Sequence, residues 1–141
     1  MLKSIDPLLS GACLHLLDEM GHGDQLGLVD RNFPAHRYGK PVIDLRGADT
    51  AAAARALFSV LPLDSFVTEP IRRMEIDDAP EKINESTAAL QDLADAAHGA
   101  PVRIGSLERF AFYDAAQQAY AFVQTGETIG YSCYLIRKGV V

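Results

Sequence analysis

Cysteine is scarce in this chain. Its 141 residues hold two, Cys13 and Cys133, far apart and in no metal-like spacing, a usage that argues against a disulfide scaffold. Basic residues are outnumbered, 13 Lys and Arg against 19 Asp and Glu, for a net charge of −6. The nearest thing to a basic patch, Arg72-Arg73, is surrounded by Glu69, Glu75, Asp77 and Asp78. Such a balance argues against nucleic acid or an anionic membrane as the main partner. No apolar stretch approaches the roughly 20 residues that span a bilayer. Asp6, His15, Asp18 and Glu19 break up the apolar residues near the start, so no signal-peptide pattern stands there. The expected location is therefore the cytoplasm. A G-x-S-x-G elbow, a Gly-Lys-Ser/Thr phosphate loop and a G-x-G-x-x-G turn are all missing.

What is present reads as one globular domain: 48% hydrophobic and 23% charged residues in a length suited to a single core. Helix and strand patterns alternate. Asp6 and Pro7 suit the start of a helix over about 7–19, with Leu8, Leu9, Ala12, Cys13, Leu16, Leu17 and Met20 on one stripe and Gly21 as terminator. Residues 26–30, 42–45, 71–76 and 102–104 read as short strands. Residues 51–61, capped by Asp49 or Thr50, and 80–98, with Ile83, Leu90, Leu93 and Ala97 inward and Gly99 as its stop, read as helices. Ser106 is placed as the cap of a helix reaching about Gln118. Its Leu107, Phe110, Ala111, Phe112, Tyr113, Ala115 and Ala116 run almost all round the axis, which suggests packing against another subunit as well. Residues 120–125 and 133–138 flank a Gly-containing turn and look like a hairpin. The pattern is that of an α/β domain with helices on both faces of a mixed sheet.

The segment richest in chemistry is Glu19-Met20-Gly21-His22-Gly23-Asp24, followed by Asp30-Arg31-Asn32-Phe33-Pro34-Ala35-His36. A histidine between two glycines titrates near neutrality and both takes and gives protons, and glycines let a backbone approach a ligand closely. The same motif also serves as a plain helix terminator with an exposed histidine. His22, Asp24, Asp30 and His36 are metal-ligand types, but their spacing matches no zinc pattern. Asp30 closes the apolar run Leu26-Gly27-Leu28-Val29. It reads either as a strand-end turn aspartate or as a ligand group in the crevice at a strand end. Arg109 is either a structural partner of Glu108 or a hydrogen-bonding fork for hydroxyls. Tyr131 is either a core tyrosine or a ligand contact.

Taken together, Met1-Leu2-Lys3 with Asp6-Pro7-Leu8, Glu19 to Asp24, Asp30, Phe33-Pro34-Ala35-His36, Arg109-Phe110-Ala111-Phe112-Tyr113, Thr125-Gly126-Glu127 and Lys138-Gly139-Val140 resemble the L-fucose mutarotase and D-ribose pyranase family. The Arg-Phe-Ala-Phe-Tyr and Phe-Pro-Ala-His segments resemble its fucose branch. The resemblance implies a three-layer α/β/α domain with a mixed sheet and assembly into a ring, commonly a decamer, with sites close to subunit contacts. It implies no metal, nucleotide or other cofactor, and a free monosaccharide as ligand. It implies His22 as proton donor, and Asp30, Arg109 and the segment Tyr131-Ser132-Cys133 as substrate-binding. Where the family has Tyr-Gly-Asn, this chain has Cys133 at the asparagine position, exchanging an amide for a weakly polar thiol. The activity implied is interconversion of α and β anomers of L-fucose or a related aldose by acid–base ring opening and closure. The alternatives are furanose–pyranose interconversion of ribose-like sugars and a non-catalytic sugar-binding module.

Overall fold

Ser10 starts the first helix. In the computed structural model, which describes residues 1–141, its side chain accepts from the Cys13 N–H at 3.2 Å and α1 covers Gly11–Glu19. The expected start near Pro7 is a turn instead, with Asp6 accepting from the Leu8 N–H at 2.9 Å. Cys13, Leu16 and Leu17 form the buried face of α1, and the helix ends through an extended Met20 rather than through Gly21. The chain continues through β1 (Gln25–Val29), a 3₁₀ turn (Ala35–Tyr38), β2 (Val42–Leu45), α2 (Thr50–Phe58), β3 (Ile71–Met74) and α3 (Glu85–His98). It ends with β4 (Ile104–Leu107), α4 (Arg109–Ala116), β5 (Ala121–Thr125) and β6 (Tyr134–Arg137). Asp49 caps α2 through the Ala52 N–H. Asn84 caps α3 through the Thr87 N–H, so the helix begins well after Pro80, and Ile83 and Ala97 lie on the surface. Gly99, at φ 74°, ends α3 in the left-handed conformation that glycine tolerates.

The six strands run in the order β2-β5-β1-β6-β3-β4. β1 lies between β5, its parallel neighbour, and β6, its antiparallel one. The expected hairpin of β5 with β6 therefore does not form. β1 is buried along Leu26 to Val29, and a strand so apolar gains most from a neighbour on each side. The loop between β5 and β6 steps over it. β6 is the antiparallel member that makes the sheet mixed.

Side chains alternate across this sheet, and each face holds its own core. Leu26, Leu28, Ile71, Val123, Tyr134 and Ile136 pack with the inner faces of α1, α2 and α3. Val29, Met74, Phe122, Cys133 and Leu135 pack on the other face with Phe112 and Ala116 of α4 and with Phe33. The result is the expected three-layer α/β/α arrangement. One expectation at α4 is corrected. Ser106 lies in β4 opposite Arg73 and donates to Glu75, while Glu108 caps the helix through the Phe110 and Ala111 N–H groups at 3.0 and 3.1 Å. Only Phe112 and Ala116 of α4 are buried within the chain, and Phe110 is 63% exposed. No helix is long and apolar enough to cross a membrane.

Candidate functional site

Two groups of side chains stand beyond opposite ends of the central strand β1. The first surrounds the end of β1 at Asp30, which is buried. Its Oδ1 accepts from the Asn32 and Phe33 N–H groups at 2.9 and 3.1 Å, the aspartate turn expected of an acid after a strand. Those two bonds leave Oδ2 without a backbone donor. Asp30 lines a cavity of about 180 Å³ together with Arg109, Tyr131, Cys133, Phe33 and Tyr113. Glu108 commits both carboxylate oxygens to the N-terminus of α4, so Arg109 lies over the Phe110 ring, 4.7 Å from its centroid, with its guanidinium available to the cavity.

Tyr131 has a left-handed backbone, φ 62°, uncommon for a residue with a Cβ. Its hydroxyl donates to Asp77 Oδ1 at 3.0 Å. That hydrogen bond first, and then the charge of Asp77, holds the phenol proton more tightly than usual. Burial pushes the Cys133 thiol well above its ordinary range, with the neighbouring Asp30 charge adding to it. Cys133 is thus a neutral cavity wall. Ser132 is fully buried and its hydroxyl has no hydrogen-bond partner, and its side chain is not part of the cavity lining.

The second group surrounds His22, before the start of β1. The imidazole is 45% exposed, its Nε2 lies 3.1 Å from Asp64 Oδ1, and the edge of Phe66 meets it at 5.5 Å between centroids. Asp64 also accepts from the Phe66 N–H at 3.0 Å and, on Oδ2, from Arg137 Nε at 3.0 Å. Burial opposes ionisation of Asp64, but the Phe66 N–H, His22 and Arg137 outweigh it and hold the carboxyl below its usual range. The open side of His22 borders a groove of about 640 Å³ walled by Leu14, Leu17, Met20, Pro62, Lys138 and the last residues of the chain. Lys138 turns its ammonium to the carbonyls of Leu17 and Met20.

Asp30, Arg109, Tyr131 and Cys133 are therefore brought together, and His22 is not with them. Five strand residues separate the two groups, roughly 16 Å along β1. No three His, Cys, Asp or Glu side chains gather as metal ligands, so His22, Asp24, Asp30 and His36 do not form one ligand set. Asp64 and Asp77 gave no signal in the sequence. Asp64 lies in an ordinary Leu-Asp-Ser stretch, and its partners are 42 and 73 positions away.

The chain also matches known proteins along its whole length. The pattern of the RbsD / FucU transport protein family matches residues 3–141. An L-fucose mutarotase of Actinobacillus pleuropneumoniae serotype 5b (strain L20) is 38% identical over 144 residues, covering 99% of this chain and 97% of that protein. The crystal structure of the fucose mutarotase from Streptococcus pneumoniae in complex with L-fucose superposes with a TM-score of 0.90 at 33% identity, covering 99% of each chain. Bacillus subtilis RbsD complexed with D-ribose, at 21% identity and a TM-score of 0.77, shares the fold over 100% of this chain and 99% of its own.

Proposed function

This chain belongs to the RbsD/FucU family, and from that membership we propose that it is an L-fucose mutarotase, an isomerase that interconverts the α and β anomers of the free sugar. The observation that carries the reading is the cavity in which Asp30, Arg109, Tyr131 and Cys133 converge. It offers a carboxylate oxygen free of backbone donors, a guanidinium fork and a phenol, groups that fix the orientation of a polyhydroxylated ring. Ser132 contributes its backbone to the same segment.

Mutarotation needs only proton movements. An acid protonates the ring oxygen while the anomeric hydroxyl loses its proton, the C1–O5 bond breaks, the C1–C2 bond rotates, and the ring closes on the other face of the aldehyde. General acid–base catalysis supplies roughly 10²–10⁴-fold, and holding the sugar adds to it. His22 is the acid in this proposal. Because His22 stands at the other end of β1 from Asp30, it acts on sugar held by a second copy of the chain. A ring of copies, a decamer in the proposal, sets the strand end bearing His22 of one protomer against the strand end bearing Asp30 and Arg109 of the next. The exposed Phe110 at the start of α4 suits that contact. The proposed location is the cytoplasm, where free sugars are metabolised. Ribose pyranase activity has no comparable support, since the likeness to RbsD is one of fold.

Exchange spectroscopy by NMR on equilibrated L-fucose tests the proposal. Addition of the protein is expected to speed exchange between the anomer signals well above buffer, and more than it does for D-ribose. Sugar-dependent thermal stabilisation without faster exchange would support a binding module instead and would defeat the enzyme reading.

A further inference from the structure

We propose that Asp77 is a positioning residue for Tyr131: it takes the hydrogen of the Tyr131 hydroxyl, so that the phenol oxygen meets the sugar only as an acceptor and one sugar hydroxyl must donate to it. The proposal rests on the mutarotase reading for the identity of the sugar and adds to it the direction of one hydrogen bond.

The observation behind it is backbone strain gathered in one place. Four residues other than glycine have positive φ, and three of them, Asp77 at 51°, Asp78 at 57° and Tyr131 at 62°, belong to the two loops that meet through the Asp77–Tyr131 contact. Ile76 and Ala79 pair across Asp77-Asp78, and the Ala79 N–H donates to the Ile76 carbonyl at 3.0 Å. A two-residue turn with both central residues left-handed favours Asn-Gly or Asp-Gly. Here both residues carry a Cβ, which makes the conformation unfavourable for each. Strain of this kind persists only where the surroundings fix it, and it gathers at functional sites.

The surroundings do fix it. Arg73 is 4% exposed and sends Nη2 to the Pro80 carbonyl. The Lys82 N–H donates to the Ala79 carbonyl at 3.1 Å. On the other loop, Asn84 Nδ2 donates to the carbonyl of Gly130, the residue before Tyr131, at 3.1 Å. Both loops are thus tied independently of the contact between them.

Asp77 divides its two oxygens. Lys82 Nζ lies 3.4 Å from Oδ2, and Oδ1 is left for the Tyr131 hydroxyl at 3.0 Å. A carboxylate only accepts, so the single hydrogen of the phenol points at Asp77. What the phenol oxygen keeps for a ligand is lone-pair density. Arg109 is the cation that acts on that oxygen, and a guanidinium only donates. With Asp30 Oδ2, the cavity therefore offers two acceptors and one forked donor. A sugar hydroxyl has one hydrogen to give and lone pairs to receive. Two neighbouring hydroxyls satisfy all three groups when each donates to one acceptor and accepts from Arg109. A methoxy group or a bare carbon facing Tyr131 leaves the phenol oxygen unpaired and loses affinity.

The test is an affinity cycle on the full chain. L-fucose is titrated calorimetrically into wild type, Asp77→Gly, Tyr131→Phe and the double variant. Glycine is at ease at a φ of 51°, so Asp77→Gly is expected to keep or raise Tm. The same variant is expected to bind the sugar about 3- to 10-fold more weakly, the equivalent of one hydrogen bond. Tyr131→Phe is expected to lose a similar factor, and the double variant to bind no more weakly than Tyr131→Phe alone, because Asp77 acts only through that hydroxyl. With tyrosine labelled by ¹³C at Cζ, the Tyr131 titration is expected to fall toward its ordinary value of 10.0 in Asp77→Gly. An Asp77→Gly protein with wild-type affinity, or a double variant whose loss is the product of the two single losses, overturns the proposal. A Tm lowered by several degrees in Asp77→Gly also overturns it, since Asp77 would then support the turn rather than the phenol. Wild type that binds L-fucose without speeding anomer exchange would instead sink the mutarotase reading and leave the affinity cycle to judge Asp77.

Discussion

His22 and Asp30 are held apart by the whole of β1, one placed before its first residue and the other directly after its last. The strand is paired on both sides, so no loop motion of one chain can bring them together. A site that needs both must take them from two copies. His22→Ala and Asp30→Asn, each slow when purified alone, are then expected to recover activity when unfolded together and reassembled. For random mixing at a head-to-tail contact, roughly one site in four holds both native residues. Exchange NMR on the mixture measures this, and a rate no greater than the sum of the two separate variants would show that the residues do not share a site.

Cys133 faces the cavity as a neutral thiol next to Asp30. Cys133→Asn restores an amide at that wall and is expected to tighten L-fucose binding by about 2- to 10-fold, the equivalent of one added hydrogen bond. Titration calorimetry with the wild type alongside reads the difference. Weaker binding by the asparagine variant would mean that the pocket has been reshaped around the smaller side chain.

Gly27 tests the packing beneath the site. A Cβ at Gly27 would stand 2.3 Å from Phe122 Cδ1, and Phe122 is hemmed in by Phe33 and Tyr38 at 5.5 and 5.2 Å between centroids. With no room for the ring to retreat, Gly27→Ala is expected to cost about 1–3 kcal/mol, a fall of several degrees in Tm by scanning calorimetry. An unchanged Tm would show that the aromatic cluster rearranges freely.

The Asp64 carboxyl titrates lower in the fold than its ordinary value of 3.8. A carboxyl depressed by folding contributes stability that is fully present above the unfolded value and is lost as pH falls through the folded one. The difference in urea midpoint between wild type and Asp64→Asn should be constant near neutrality and shrink as pH is lowered below the ordinary value of 3.8. A difference that persists undiminished in acid would mean that Asp64 is held by something other than its charge.

Sequence patterning reached the local features well. The limits of β2 and the Asp49 cap of α2 were legible because a short apolar run and a capping side chain act within a few residues. The three layers followed from the alternation of helix and strand. The partners of β1 were not legible, because β5 and β6 are each apolar enough to pair with the other and only burial of the whole sheet inserts β1 between them. The Asp30, Arg109, Tyr131 and Cys133 grouping came through resemblance, and strand ends explain why they meet. The Asp64 contact was beyond reach for a different reason: its partners His22 and Arg137 lie 42 and 73 positions away, and nothing in the neighbourhood of Asp64 signals them.

The insertion of β1 between β5 and β6 also bears on how the chain is made. Leu26 finds its partners at Ala121 and Ile136, which leave the ribosome on the order of ten seconds after it at usual elongation rates. Throughout that interval an apolar strand has both edges open to other nascent chains. Slower synthesis, or a chaperone shortage, should therefore reduce the yield of native protein more than the stability of the finished fold would suggest.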